Sequence, residues 1–357
     1  MNIICGTLTK MNVSLHITDT LERMGHSVRF FPTEPYREIC SYSDKKLDKL
    51  GFHQGRERYL THWRENFFNT IEEFQPDVIL FINIPKEILD EVDQKKIKQA
   101  FTPSPKILCW LVDSIVGQGG WEAFFPYCDR IYVFEKRDVL FLQERYQITA
   151  AYCPVGYNAA YARVEARRDK EIDIAFMGAP YRNRLHILEQ VAAHAVRNGW
   201  RMAIYGPFYE DRYFWKKRFF QRKYPYITKY LTNGMVLPEE AAELYARSKI
   251  CLNIHLTAHK GVNPRTFEIM ATGSFQLIDE REDYAGLVPE QDMAVFRSTE
   301  ELIEKISYYL AHEEEREKIA ASGHTSVLGR YGMEASLQYV IGGGNHGRRK
   351  SVSYQSV

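Results

Sequence analysis

Arg265 and Glu268 stand one helical turn apart in a short stretch, Asn263–Gly273, that is otherwise mostly apolar. Asn263 followed by Pro264 predicts a helix cap and first turn, and Gly273 predicts the helix stop. A carboxylate in so apolar a helix is costly unless it finds partners. Arg265, at i−3, is one such partner. In a second reading Glu268 accepts hydrogen bonds from ligand hydroxyls, and a ribose diol suits it because two adjacent hydroxyls donate to its two oxygens. Arg265 and the helix N-terminus then face phosphate. Taken alone, the stretch supports both readings equally.

Other strand ends carry related chemistry. The run FMGAPYRNR (176–184) puts Gly178 after a strand and Arg182 and Arg184 at a helix start, which makes an anion site or a solvated pair. Gly206 and Pro207 end another strand, as a ligand loop or as a simple turn. His255 and His259 are four apart but lack a third ligand nearby, so they read as loop or cleft residues and not as metal ligands. The glycine pattern of dinucleotide-binding dehydrogenases is missing, as are the phosphate loop of nucleotidases, the hydrolase serine elbow and the His-Glu-x-x-His zinc motif. No Asp-x-Asp stands at a strand end, so diphosphate chemistry here is expected to run on basic residues without a divalent metal.

These groups need sheets to position them. Apolar strand runs are expected at 1–8, 29–32, 75–85, 106–113 and 130–135, and again at 173–178, 201–206, 250–256 and 274–279. Helical patterns fill the intervals, including 56–74, 136–146, 182–199 and 238–249, and one long pattern covers 299–331. Apolar strands alternating with helices predict parallel sheets covered on both faces. A polar stretch at 161–173 is the best linker. The expected division is an N-terminal Rossmann-like domain at 1–165, a C-terminal one at 166–335 and a flexible tail at 336–357. In such sheets ligands bind beyond the carboxyl ends of the strands, and a cleft between two domains is the default site.

The 357 residues favour two domains. Lys plus Arg number 47 against 46 Asp plus Glu, which argues against a general nucleic-acid binder. Six cysteines are scattered without a Cys-x-x-Cys, as expected of a reduced, cytoplasmic protein. No leader pattern or membrane-length apolar run is seen, so any membrane association is expected to be peripheral at most.

The C-terminal half carries a resemblance. The residues LNIH (252–255) and GVNPRTFEIMATGSFQLID (261–279), with 294–323 after them, resemble the CgeB-like (spore maturation protein) glycosyltransferases. These are part of the GT-B class, in which two Rossmann-like domains hold a nucleotide-sugar. The resemblance extends over about 172–330, including 176–184 and IYGPF (204–208), and continues more weakly through CWLVDS (109–114) and YCPVGYN (152–158). It implies a GT-B fold and transfer of a sugar from a nucleoside-diphosphate donor to an acceptor hydroxyl, with no other cofactor. It also implies that Glu268 binds the nucleotide ribose. Many retaining relatives have a second Glu eight residues earlier, where this chain has Lys260, so the stereochemical course is left open.

Arg182, Arg184, Lys260 and Arg265 are then candidates to offset charge on the leaving diphosphate, with Gly178, Gly206 and His255 also at the donor. Asp113, ending the strand at 106–113, is the first choice for an acceptor base. Two rivals are an inactive relative serving in a surface layer or spore coat, and a nucleotide-sugar epimerase. The basic, aromatic insertion at 209–230 reads first as a packed helical hairpin, and second as a docking surface for a large acceptor or an anionic membrane.

Overall fold

The computed structural model describes residues 1–7, 12–33, 36, 40–83, 91–116, 124–164 and 169–343. It resolves into two units, Met1–Val155 with Met333–Val357, and Gly156–Gly332.

The first unit holds strands β1 (Asn2–Thr7), β2 (Ser27–Pro32), β3 (Val78–Ile82), β4 (Lys106–Leu111), β5 (Arg130–Val133) and β6 (Ala151–Tyr152). They form one parallel sheet in the order β2-β1-β3-β4-β5-β6. All five residues of β3 are buried, as a strand covered on both faces requires. One face is covered by the helix Gln54–Phe74, whose Trp63, Phe67 and Ile71 recur every four residues and pack on Ile79 and Phe81. The other face is covered in part by the helix Met333–Ile341. Its Leu337 and Val340 are fully buried against the sheet's core, and Tyr132 Oη donates to the Val340 carbonyl at 3.0 Å.

This helix corrects the expectation of a flexible tail from 336. Residues 336–341 are held by apolar burial in the first core, and 344–357 lie outside the described residues. The helix Ala159–Arg163 belongs with the second unit, because Tyr161 is buried against Tyr245 there. The linker expected at 161–173 is therefore partly structured, and its residues 165–168 lie outside the described residues.

The second unit holds β7 (Ile172–Met177), β8 (Met202–Gly206), β9 (Leu231–Asn233), β10 (Ser248–Asn253), β11 (Gln276–Asp279) and β12 (Ala294–Phe296). Their order is β12-β11-β10-β7-β8-β9, again all parallel. The chain runs outward from β7 to β9 and then crosses back to β10. The carboxyl ends of β7 and β10 therefore send their loops in opposite directions, and a crevice opens between them. The single helix expected over 299–331 is two, Thr299–Ala311 and Glu313–Val327, broken at His312. Buried Arg316 stabilises the break, its Nη1 donating to the Tyr309 carbonyl at 2.7 Å. The insertion forms helices Phe214–Lys223 and Pro225–Thr228, anchored by Phe220, Ile227 and two backbone N–H bonds to Glu189.

Candidate functional site

The crevice is built on the short helix Pro264–Ala271 and the loop that leads into it from β10. Asn263 caps the helix, its Oδ1 accepting from the Thr266 N–H at 3.2 Å. Gly273, at φ +69°, takes the left-handed conformation that ends it. Asn253, at the end of β10, fixes the cap from below. Its Nδ2, with two protons to share, lies within hydrogen-bond reach of Asn263 Oδ1, Thr266 Oγ1 and Gln276 Oε1 at 3.1, 3.0 and 2.8 Å.

His255 is fully buried and orders the loop. Its Nε2 accepts the Asn263 N–H at 3.0 Å, so Nδ1 carries the proton and donates to Asp279 Oδ1 at 2.6 Å. Burial holds its pKa below the ordinary value, so the ring is neutral. This corrects the expectation of direct ligand contact, since both ring nitrogens are occupied within the protein. Arg281 completes the clamp, with Nη2 on Asp279 Oδ2 at 2.8 Å and Nη1 on the His259 carbonyl at 2.7 Å.

From the other side of the crevice comes the helix Arg182–Asn198. It has no side-chain cap and no acidic residue in its first turn, so its N-terminal field is left uncompensated. Arg182 is exposed there. Arg184 is buried and holds strand ends instead, its Nε donating to the Ile254 carbonyl at 2.6 Å and its Nη1 to the Ala179 carbonyl at 3.2 Å. Burial and the nearby Arg265 pull its pKa down to about 10. Gly206 is required by close approach, because a Cβ there would stand 2.2 Å from the Gly178 carbonyl oxygen. The Gly178 N–H donates in turn to the Tyr205 carbonyl at 2.9 Å. Lys260 pairs with Glu282 on the surface, an exposed contact weak enough to exchange for another anion.

Arg265 and Glu268 are partly buried, and among the described residues they form no ion pair within 4.0 Å. They lie instead beside Tyr161 and Tyr245, whose rings stack at 6.2 Å. Arg265 Nε and Tyr245 Oη are buried without a hydrogen-bond partner. Burial pushes the Glu268 carboxyl above its ordinary value, while Arg265 and the Tyr161 hydroxyl draw it back. Chemically, the crevice offers the exposed Arg182, an uncapped helix start and the buried Arg265 for an anion, and a carboxylate for neighbouring hydroxyls. Sequence reasoning missed Tyr161, Tyr245, Asp279 and Arg281. Only Asn253, a polar residue inside an apolar strand run, gave a signal.

A second cavity in this unit, of about 550 Å³, is lined in part by Thr232, Asn233, Glu239, Glu240 and Glu243. Three glutamates make it a poor place for phosphate. In the first unit, Asp113 is exposed just beyond β4, with Asn83 Nδ2 donating to its Oδ2 at 2.6 Å. No described helix is long and apolar enough to cross a membrane.

Residues 182–342 match the family described as glycosyl transferase-like. Spore protein CgeB of Bacillus subtilis (strain 168) is 25% identical over 274 residues, covering 72% of this chain and 80% of CgeB. Among solved structures, a glycosyltransferase from Rickettsia africae ESF-5 superposes with a TM-score of 0.67 at 12% identity, covering 96% of this chain and 97% of the other. HepE of Anabaena, solved in complex with UDP, superposes with a TM-score of 0.65 at 12% identity, covering 96% and 99%. Family match, curated relative and fold agree: the C-terminal part of the chain matches the glycosyl transferase-like family, the chain is similar to CgeB, and its fold is GT-B.

Proposed function

We propose that this chain transfers a sugar from a nucleoside-diphosphate donor to an acceptor hydroxyl, with the donor held in the crevice of the second unit. The observation that carries this reading is the buried Arg265 guanidinium, which makes no ion pair with the carboxylate beside it. Arg265 Nε is buried without a hydrogen-bond partner, and the guanidinium lies against the Tyr245 hydroxyl and beside Glu268. A buried polar atom left unsatisfied costs about 1–3 kcal/mol, and a ligand that supplies the missing partner recovers it. A diphosphate fits the cations and the uncapped helix start, and a ribose diol fits Glu268. HepE, solved with UDP and with UDP-glucose, lends support from the same fold. Arg265, Arg182 and Lys260 offset charge on the leaving diphosphate in place of a divalent metal. Asp113 of the first unit is the proposed acceptor base.

Calorimetric titration with UDP and a panel of nucleotide-sugars tests the reading. Glu268→Gln keeps an acceptor for Tyr161 but loses charge-assisted bonds worth about 1.5–3 kcal/mol, so donor affinity should fall roughly ten- to a hundred-fold. The melting temperature should change little. A lower melting temperature with unchanged UDP affinity would make Glu268 a structural residue and remove the reading's main support. Turnover of donor without any acceptor would favour an epimerase, and binding without turnover an inactive assembly protein.

A further inference from the structure

The helix Phe214–Lys223 presents three large aromatic side chains to solvent, with Phe214 74%, Trp215 55% and Phe219 68% exposed. Its inner side is already satisfied by Phe220, which packs in the core of the second unit. At 3.6 residues per turn, Arg218 and Arg222 point about 160° and 200° from Phe220, and Phe214, Trp215 and Phe219 flank them at about 120°, 220° and 260°. The outward face is therefore two arginines bracketed by rings. The charge is also segregated. Residues 212–229 hold seven Lys and Arg and no carboxylate; Arg212 and Lys216 pair with Glu210 just before them, and five cations are left, in a chain whose formal net charge is only +1. All seven are exposed.

We propose that this face docks on the surface of an anionic lipid bilayer. Rings on a polar-flanked helix sit at the boundary between headgroup and acyl chains, while guanidinium and ammonium groups meet lipid phosphates. Lys223 Nζ lies over the Phe219 ring, 6.0 Å from its centroid, so cation and ring already share one surface. A second copy of the chain is a poor occupant, because two faces of this charge repel. The proposal stands independently of what the crevice binds.

Co-sedimentation of the full chain with phosphatidylcholine vesicles, with and without phosphatidylglycerol, tests it. The chain should pellet with the anionic vesicles only, and increasingly less as salt rises. One cation near an anionic surface is worth about fivefold, so Arg218→Ala with Arg222→Ala should weaken partitioning roughly twenty-fold. Trp215 emission should shift to the blue on anionic vesicles, and Phe214→Ser with Phe219→Ser should lower binding while leaving the unfolding midpoint unchanged. Equal binding to neutral vesicles would overturn the proposal. So would binding to heparin or single-stranded nucleic acid without vesicle binding, or concentration-dependent dimerisation in its place.

Discussion

At the carboxyl edge of the second sheet, Arg184, Arg265 and Arg281 gather around the loop beyond β10, and Asp279 is committed to Arg281 and His255. At the carboxyl edge of the first sheet the charges are reversed. There Glu135 and Asp138 are buried around Arg137, whose Nε pairs with Glu135 at 2.7 Å, and Asp113 stands exposed just beyond the neighbouring strand β4. Both edges present helix N-termini, whose field favours anions. The helix Lys136–Tyr146 meets that field with its own Asp138, in the first turn, which accepts from Ser114 Oγ at 2.8 Å. The helix Arg182–Asn198 supplies no such group. One parallel sheet thus places a carboxylate of its own at the helix start, and the other does not. Under the proposed function the first edge handles the proton and the second holds the diphosphate.

Several substitutions would break or sharpen this contrast. The largest effect is expected at the acidic edge. Asp113→Asn should lower turnover by roughly 10²–10⁴-fold while leaving donor affinity nearly intact, as loss of a general base does. An equal loss of UDP binding would move Asp113 to the donor. Next comes Asp138, whose pKa burial pushes from 3.8 up to about 6. Between those values the folded state holds a proton that the unfolded state has lost, so stability falls as pH rises through the window and stays lower above it. Asp138→Asn is neutral throughout and should remove this loss, gaining about 2–3 kcal/mol on the parent between pH ~4 and ~7. Parallel pH curves from denaturant unfolding would refute the assignment.

At the cationic edge, Arg265→Ala should weaken UDP binding about tenfold or more and uridine binding less, because the guanidinium is assigned to phosphate. Equal losses for nucleoside and nucleotide would place Arg265 at the ribose or base instead. The smallest effect expected is none at all: excess EDTA should leave the transferase rate unchanged. Activity lost to EDTA and restored by manganese would show that the cations do not suffice.

Much of this was legible in the sequence, for identifiable reasons. Buried parallel strands are nearly continuous in apolar residues, so β1, β3, β4, β7, β8, β10 and β11 stood out. Strands β6, β9 and β12 have only two or three residues each, too few to show a pattern. Asn263, Pro264 and Gly273 announced their helix because capping is local chemistry. The roles within it were not local. That Arg265 and Glu268 lie beside Tyr161 and Tyr245 depends on helices more than a hundred and about twenty residues distant in sequence. His255 and Arg184 were identified as site residues, yet both act on backbone groups, a distinction that residue type does not encode.

The helix Met333–Ile341 carries a last consequence, for how the chain is made. It completes the core of the first unit, yet it is synthesised after the whole of the second. At roughly 5–20 residues per second, a ribosome needs about 10–40 s to cross the intervening segment. During that interval Leu80 and Trp110 of the first sheet wait without the helix that will cover them. The second unit, contiguous in sequence, is free to fold first. The nascent first unit is therefore the stage at which chaperones have the most exposed apolar surface to hold.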